Sequence, residues 1–282
     1  MADTIFEAYN KTKKELQKIG IEDFMFEAKQ IIKHITGYSN AEILSRYNTR
    51  LTEFQQNNLT AILKQRAIRY PLQYILCSWG FYGREYSVGP GVLIPRADTE
   101  TLIDTAKELI KDKKSPKIID LCTGSGCIGI TLALERKDAE VELLEKYPEA
   151  MRYAYKNIVD NGAENVLLFE GDVLKGDKSE EKYDLIVSNP PYISDSEMEI
   201  ISPEVHFEPE TALRGGADGL DFYRAIIENY TKSLNDGGSI AFEVGIGQAE
   251  SVAALLRDAG FVKVSTAKDL NGTDRVVFGT LS

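Results

Sequence analysis

The amino-acid sequence predicts an α/β fold: a seven-stranded, mostly parallel sheet with crossover helices, preceded by a small helical bundle and a β-hairpin linker. Three observations carry that reading. After Pro116, short apolar runs alternate with helical segments, the pattern of parallel strands joined by crossovers. Before about Arg69, apolar residues recur at helical spacing in short pieces. Between these regions, from Leu72 to Pro95, the chain turns aromatic and β-favouring, punctuated by glycine. A length of 282 residues exceeds the usual single domain, so a small and a large domain are expected. The expected divisions are 1–71 for the helical domain, 72–95 for the linker and 96–282 for the α/β domain.

Each element has its own signal. Ile5, Phe6, Tyr9, Leu16 and Ile19 form an apolar stripe that Gly20 ends, and Phe24, Ala28, Ile31, Ile32 and Ile35 form a second that Gly37 ends. Ser39 or Asn40 caps a brief third helix reaching Arg46. Thr52 with Gln55 makes a capping-box signal for a fourth, which carries Leu59, Ile62 and Leu63 and stops before Pro71. Trp79-Gly80-Phe81-Tyr82-Gly83 and Tyr86-Ser87-Val88 read as the hairpin, and a helix follows from Asp98 or Thr99 to about Lys111. The strand candidates run from Lys117 to Leu121, Val141 to Leu144, Val166 to Phe169, Tyr183 to Ser188, Ser239 to Val244, Val262 to Ser265 and Arg275 to Phe278. Asn271-Gly272 between the last two suggests an antiparallel hairpin at one edge.

Composition narrows the function. No apolar run approaches the roughly 18 residues that span a bilayer, and Met1-Ala2-Asp3-Thr4 opens without the basic and apolar regions of a secretory leader. A cytoplasmic, membrane-free protein is expected, with a monomer as the default. Cys77, Cys122 and Cys127 lack metal-ligand spacing and only His34 and His206 can join them, so no metal is expected. A net charge of -11 disfavours nonspecific binding to a phosphate backbone, so no direct nucleic-acid partner is expected.

Candidate site residues cluster after the strands. In an open α/β sheet, ligands collect beyond the carboxyl ends of the strands, where strand order reverses. Asp120-Leu121-Cys122-Thr123-Gly124-Ser125-Gly126 is the loop after the first strand, and Gly124 and Gly126 allow a sharp turn and close approach to a ligand. Glu145 ends the second strand about twenty residues on, where a carboxylate accepts hydrogen bonds from ribose hydroxyls, and Asp172 after the third offers an acceptor to an adenine amino group. Together they indicate a nucleoside site. Gly129 completes a Gly-x-Gly-x-x-Gly spacing, so NAD stays open as a minor alternative.

Asn189-Pro190-Pro191-Tyr192 follows the apolar fourth strand. The asparagine side-chain carbonyl and the Pro190 backbone carbonyl can each accept one N–H of a planar amide, aiming its lone pair and stabilising positive charge that develops on nitrogen. Two prolines stiffen the turn and remove competing donors, and Tyr192 offers a flat face. No catalytic histidine or carboxylate pair is needed.

The constellation resembles the PrmC/HemK family of protein-glutamine methyltransferases, over nearly the whole chain. Pro71-Leu72-Gln73-Tyr74-Ile75 and Phe81-Tyr82-Gly83 resemble the family's interdomain segment, and Leu93-Ile94-Pro95-Arg96-Ala97-Asp98-Thr99-Glu100 its Leu-Ile-Pro-Arg-Pro-Glu-Thr-Glu signature. Phe207-Glu208-Pro209, Ala212-Leu213 and Gly215-Gly216-Ala217-Asp218-Gly219-Leu220 match the stretch after the catalytic turn. The resemblance implies a Rossmann-like class I methyltransferase domain that uses S-adenosylmethionine to methylate the glutamine of the Gly-Gly-Gln motif in class 1 peptide chain release factors. It implies catalytic roles for Asn189, Pro190 and Tyr192, and substrate contacts for Pro191, Arg96, Glu100 and Phe207. Asp120, Cys122, Thr123, Gly124, Gly126, Glu145, Asp172 and Asn189 are the implied cofactor contacts. Two residues depart from the family pattern: Cys122 stands for a glycine, which an ordinary backbone angle would allow, and Glu145 for the ribose-binding aspartate. An adenine amino group in nucleic acid, a ribosomal-protein glutamine and a noncatalytic tethering module are the competing readings.

Overall fold

The computed structural model describes residues 2–177 and 181–282. They form two compact units: one runs to Cys77 and also includes Pro203–Phe207, and the other comprises Ser78–Ser202 and Glu208–Ser282.

The first unit contains α1 (Ile5–Lys18), α2 (Phe24–Thr36), α3 (Asn40–Ser45), α4 (Glu53–Ala67) and α5 (Leu72–Leu76). Thr4, Ser39 and Thr52 each accept from the backbone N–H three residues on, and Glu7, Glu42 and Gln55 return the bond, so three capping boxes start α1, α3 and α4. Ala8, Leu16, Ile31, Ile32 and Leu59 meet in the core, each close to fully buried. Phe6, read as part of the first stripe, is half exposed and stacks edge-on against Tyr47. Leu72–Leu76 was expected to open the linker but is helical: Pro71 starts it with φ -56°, and Cys77 stops it in a left-handed conformation with φ 59°. Arg66 is almost wholly buried, donating to both Glu27 oxygens at 2.9 Å and to the Tyr70 carbonyl at 2.6 Å. Glu204 pairs with Arg69 at 2.7 Å, and Phe207 packs edge-on against Tyr70, so 203–207 belong to this unit.

The second unit starts with the hairpin β1 (Ser78–Phe81) and β2 (Arg84–Ser87), followed by a 3₁₀ turn (Ala97–Thr99) and α6 (Glu100–Leu109). The alternating part comprises β3 (Lys117–Leu121), α7 (Cys127–Glu135), β4 (Glu140–Glu145), α8 (Pro148–Asn161), β5 (Val166–Glu170), β6 (Tyr183–Ser188), α9 (Asp221–Tyr230), β7 (Leu234–Glu243), α10 (Ala249–Asp258), β8 (Phe261–Lys268) and β9 (Asp274–Leu281). The sheet order is β5-β4-β3-β6-β7-β9-β8, with β3 to β7 parallel and β9 antiparallel to both neighbours. The expected edge hairpin forms, and its second strand lies inside the sheet while β8 takes the edge. Side chains alternate between faces as the strand period requires: Ile118, Leu143 and Leu185 pack with α6 and α7, while Ile119, Leu144 and Ile186 pack with α9 and α10. Burial on both faces explains why these strands read as continuous apolar runs. Among the described residues no helix is long and apolar enough to cross a membrane.

Candidate active site

Strand order reverses between β3 and β6, because β4 and β5 lie to one side and β7 to the other. Leu121 is in register with Ser188, whose Oγ donates to the Leu121 carbonyl at 2.6 Å. The loop at 122–126 and the turn at 189–192 therefore leave the sheet side by side, at the reversal where ligands collect in such folds.

In the loop after β3 every second residue, Cys122, Gly124 and Gly126, is left-handed. Gly124 and Gly126 have φ of 57° and 80°, and a Cβ on Gly126 would lie 2.7 Å from Ile130 Cδ1. Cys122 has φ 59°, so the ordinary backbone angle that would allow a cysteine in place of the glycine is not found. A left-handed conformation costs a residue with a Cβ about 1–2 kcal/mol. Asp120 is fully buried beneath the loop; its Oδ2 accepts from Thr123 Oγ1 at 2.5 Å and from Gly129 N at 3.0 Å, while Oδ1 has no partner. Burial pushes its carboxyl up to about 7. A Cβ on Gly129 would come within 2.1 Å of Leu143, so the third glycine of the spacing serves to lay α7 against the sheet.

Glu145, at the end of β4, accepts from the backbone N–H groups of Gly124, Lys146 and Tyr147, each at 2.9 Å. Burial raises its carboxyl above the usual carboxylate range, and these three donors act in the opposite direction. Asp172 accepts from Leu174 N at 3.0 Å and pairs with Lys146 Nζ at 3.0 Å. Lys146 thus bridges the ends of β4 and β5.

The turn after β6 is held from several directions. Ile193 N donates to the Leu213 carbonyl at 2.9 Å, and Gly215 N to the Ile193 carbonyl at 2.8 Å. A Cβ on Gly215 would lie 2.7 Å from the Pro191 carbonyl oxygen, and one on Gly219 2.3 Å from that of Tyr192, so both glycines permit backbone to lie directly on the turn. Gln248 Nε2 donates to the Tyr192 carbonyl at 2.8 Å, with its own Oε1 held by Gly245 N at 3.0 Å. Tyr192 packs against the core face shared with Phe242 and Val244, and burial, with the Glu243 carboxyl nearby, pushes its phenol up. Asn189 Nδ2 donates to Thr99 Oγ1 at 3.4 Å.

One cavity brings Arg96, Cys122, Thr123, Gly124, Glu145, Asp172, Asn189 and Pro191 together, with Val92, Ile128, Leu144 and Val173 among its apolar walls. Asp120 and Gly126 support the loop from outside that lining, and Pro190 and Tyr192 are also outside it. Arg96 pairs with buried Glu208, which also accepts from Ile94 N at 2.9 Å. Glu100 lies outside the lining and accepts from Tyr82 N at 2.8 Å at the hairpin turn; Phe207 also lies outside it. Thr99, Glu208, Gly215, Gly219 and Gln248 shape the site without having been singled out as site residues from the sequence. Gly215, Gly219 and Glu208 lie in the stretch after the 189–192 turn that the resemblance covers, and that was their only signal.

Residues 7–76 match the PrmC N-terminal domain family, and residues 98–206 match the methyltransferase small domain family. A release factor glutamine methyltransferase of Geobacter sulfurreducens is 38% identical over 279 residues, covering 99% of this chain and 97% of that protein. The chain belongs to the release factor glutamine methyltransferase family. A second member, from Fusobacterium nucleatum, is 38% identical over 271 residues, with 95% of this chain and 77% of that protein covered. Among solved structures, a methyltransferase from Pyrococcus furiosus superposes with a TM-score of 0.53 at 20% identity, covering 79% of this chain and 98% of that one. The hMettl16 catalytic domain superposes at 0.58 with 16% identity, covering 93% and 92%. These two likenesses concern the fold. Family membership makes this chain an S-adenosylmethionine-dependent methyltransferase.

Proposed function

We propose that this enzyme transfers a methyl group from S-adenosylmethionine to the side-chain amide nitrogen of the glutamine in the Gly-Gly-Gln loop of class 1 peptide chain release factors. It acts in the cytoplasm as a monomer, with the helical domain recognising the release factor and the α/β domain carrying the chemistry. The observation that carries this reading is the Asn189-Pro190-Pro191-Tyr192 turn, seated at the sheet's reversal beside a cavity that also contains Glu145 and Asp172.

The cavity suits that cofactor by its donor set. Glu145 is an acceptor for a ribose diol, Asp172 for an adenine amino group, and Leu144 and Val173 supply apolar walls. Cys122, Thr123 and Gly124 border the cofactor beside Asn189, and Asp120 and Gly126 hold that loop in shape. When bound, the sulfonium supplies an already activated methyl group.

The protein's task is to aim a poor nucleophile, since an amide lone pair is delocalised into its carbonyl. Asn189 Oδ1 and the Pro190 carbonyl accept the two N–H bonds of the glutamine amide. That fixes the plane of the nitrogen and favours the charge that builds up on it. Pro191 and Tyr192 give the planar group an apolar neighbour, while Arg96 and Glu100 shape the approach. The methylated nitrogen is acidic enough to release its proton without a dedicated base.

Incubation with methyl-labelled S-adenosylmethionine tests the substrate directly. A purified class 1 release factor should take up label, while protein-free DNA, RNA and a glutamine-bearing ribosomal protein should not. Label on any of those three with none on the release factor would refute the proposal.

A further inference from the structure

The rings of Pro190 and Pro191 lock two φ angles, so the direction of the Pro190 carbonyl is set by where the ends of the 189–192 turn lie. The upstream end is fixed by β6, whose last residue, Ser188, is in register with Leu121 and bonded to its carbonyl. The downstream end is Tyr192, and its carbonyl accepts from Gln248 Nε2 at 2.8 Å. Gln248 is the N-cap of α10: its backbone N–H donates to the Gly245 carbonyl at 3.1 Å, and its own carbonyl accepts from Val252 N at 3.0 Å. The side chain therefore springs from a rigid mount. It stands outside the lining of the cavity and reaches the site only through the turn.

The Gln248 amide has one orientation, because its partners leave no choice. Gly245 N can only donate and the Tyr192 and Gly219 carbonyls can only accept. Oε1 accordingly faces Gly245 N at 3.0 Å, while Nε2 faces the two carbonyls at 2.8 and 3.5 Å. One side chain thus ties together the turn after β6, the 213–219 segment laid on that turn, and the exit of β7. Two glycines leave room for it: a Cβ on Gly219 would lie 2.5 Å from Nε2, and one on Gly245 would lie 2.9 Å from Oε1 and 3.1 Å from Tyr192 Cδ2.

We propose that Gln248 is a positioning residue for methyl transfer: by donating to the Tyr192 carbonyl it holds the turn in the shape that aims the Asn189 and Pro190 acceptors at the substrate nitrogen. The proposal rests on the reading of the 189–192 turn as the grip on the substrate amide. What the turn needs from position 248 is an N–H donor and not bulk alone, since a small displacement of the gripped nitrogen spoils its alignment with the methyl group.

The test is steady-state kinetics with a purified class 1 release factor, alongside calorimetric cofactor affinity for each variant. Gln248→Met keeps the length and removes both hydrogen bonds; it should lower kcat by about 10- to 100-fold with cofactor Kd within about threefold. Gln248→Glu keeps the acceptor for Gly245 N but sets a carboxylate oxygen against two carbonyl oxygens. In alkaline buffer its kcat should fall below that of Gln248→Met. Relative to wild type it should then recover by about threefold or more toward about pH 6, as the carboxyl takes up a proton it can donate to Tyr192. A side chain that only fills space predicts Gln248→Glu close to wild type at every pH. Wild-type kcat in Gln248→Met, Gln248→Glu no slower than Gln248→Met in alkaline buffer, or a flat pH profile for their ratio to wild type would each overturn the proposal. Asn189→Ala separates the two levels. If it collapses kcat while Gln248→Met does not, the role of Gln248 alone is wrong; if it leaves kcat intact, the reading of the turn falls and the role of Gln248 with it.

Discussion

The loops at the ends of β3, β4 and β5 organise themselves largely from nearby backbone, whereas the turn after β6 is assembled from remote parts of the chain. Asp120 takes its bonds from residues three and nine positions on, and Glu145 two of its three from the next two residues. The 189–192 turn depends on Thr99, 90 positions away, and on Gln248, 56 positions from Tyr192, with the 213–219 segment laid across it. On the proposed reading the cofactor half of the site is thus a set of local motifs. The proposed substrate half is a short motif held by tertiary packing. Substitutions should divide accordingly into those that weaken binding and those that spoil turnover or folding.

The sharpest division should come from a pair of truncations. Asn189→Ala should lower kcat by about 10²- to 10³-fold while leaving cofactor affinity within about threefold. Glu145→Ala should do the reverse, raising the cofactor Kd by about 10- to 100-fold through loss of a charged acceptor. Calorimetry and single-turnover rates on both variants check this, and equal effects on Kd would erase the contrast.

Two glycines probe the scaffolds. Gly219→Ala places a Cβ 2.3 Å from a backbone oxygen at φ +75° and should cost about 3 kcal/mol in denaturant unfolding. At Gly124, with φ +57°, the nearest atom to an added Cβ is 3.9 Å away, so Gly124→Ala should cost only about 1 kcal/mol. A reversed order would mean that the remote clamp on the turn contributes little.

Buried carboxyls on both sides of the reversal should also mark the pH dependence of stability. Asp120 and Glu243 are each pushed up to about 7 by burial, well above their unfolded values. The folded state then holds protons that the unfolded state has released. This stabilisation is fully present below the unfolded pKa values and is lost as pH rises through about 7, on the order of 3 kcal/mol per group. Urea titrations across this range should show stability falling with pH, and Asp120→Asn or Glu243→Gln should flatten part of the slope. A slope unchanged in both variants would contradict the assignment.

The smallest effect is expected for glycine in place of Cys122. Glycine there relieves the left-handed strain but loses packing and adds unfolded-state entropy, so Cys122→Gly should shift stability by less than about 1 kcal/mol. Cys122→Val, with a branched Cβ at the same φ, should destabilise by about 2 kcal/mol. A valine variant as stable as wild type would show that the backbone relaxes away from φ 59°.

The same contrast explains what could be read from the sequence. Alternating strands, capping boxes and the glycine loop are local patterns, and the limits expected for β3 and β6 coincide with those observed. The acids after β4 and β5 were legible because a parallel sheet places successive strand ends in one crevice. The left-handed angle at Cys122 was not, since side-chain type gives no sign of a turn that constrains the backbone regardless of it. The pairing of Lys146 with Asp172 was not legible, because Asp172 belongs to the next strand's loop. Gln248 was invisible as scaffold because it is a single polar residue whose partners are fixed only by the fold. The five-residue helix after Pro71 is too short to carry a full apolar period, so it read as linker.

The most direct measurement is fragmentation mass spectrometry of a purified release factor after incubation with the enzyme and S-adenosylmethionine, with wild type and Asn189→Ala in parallel. A single added methyl on the side chain of the Gly-Gly-Gln glutamine with wild type, and almost none with the variant, is the expected result. An unmodified glutamine despite measured cofactor binding, or equal methylation by the variant, would contradict the assignment of this turn as the site of amide methylation.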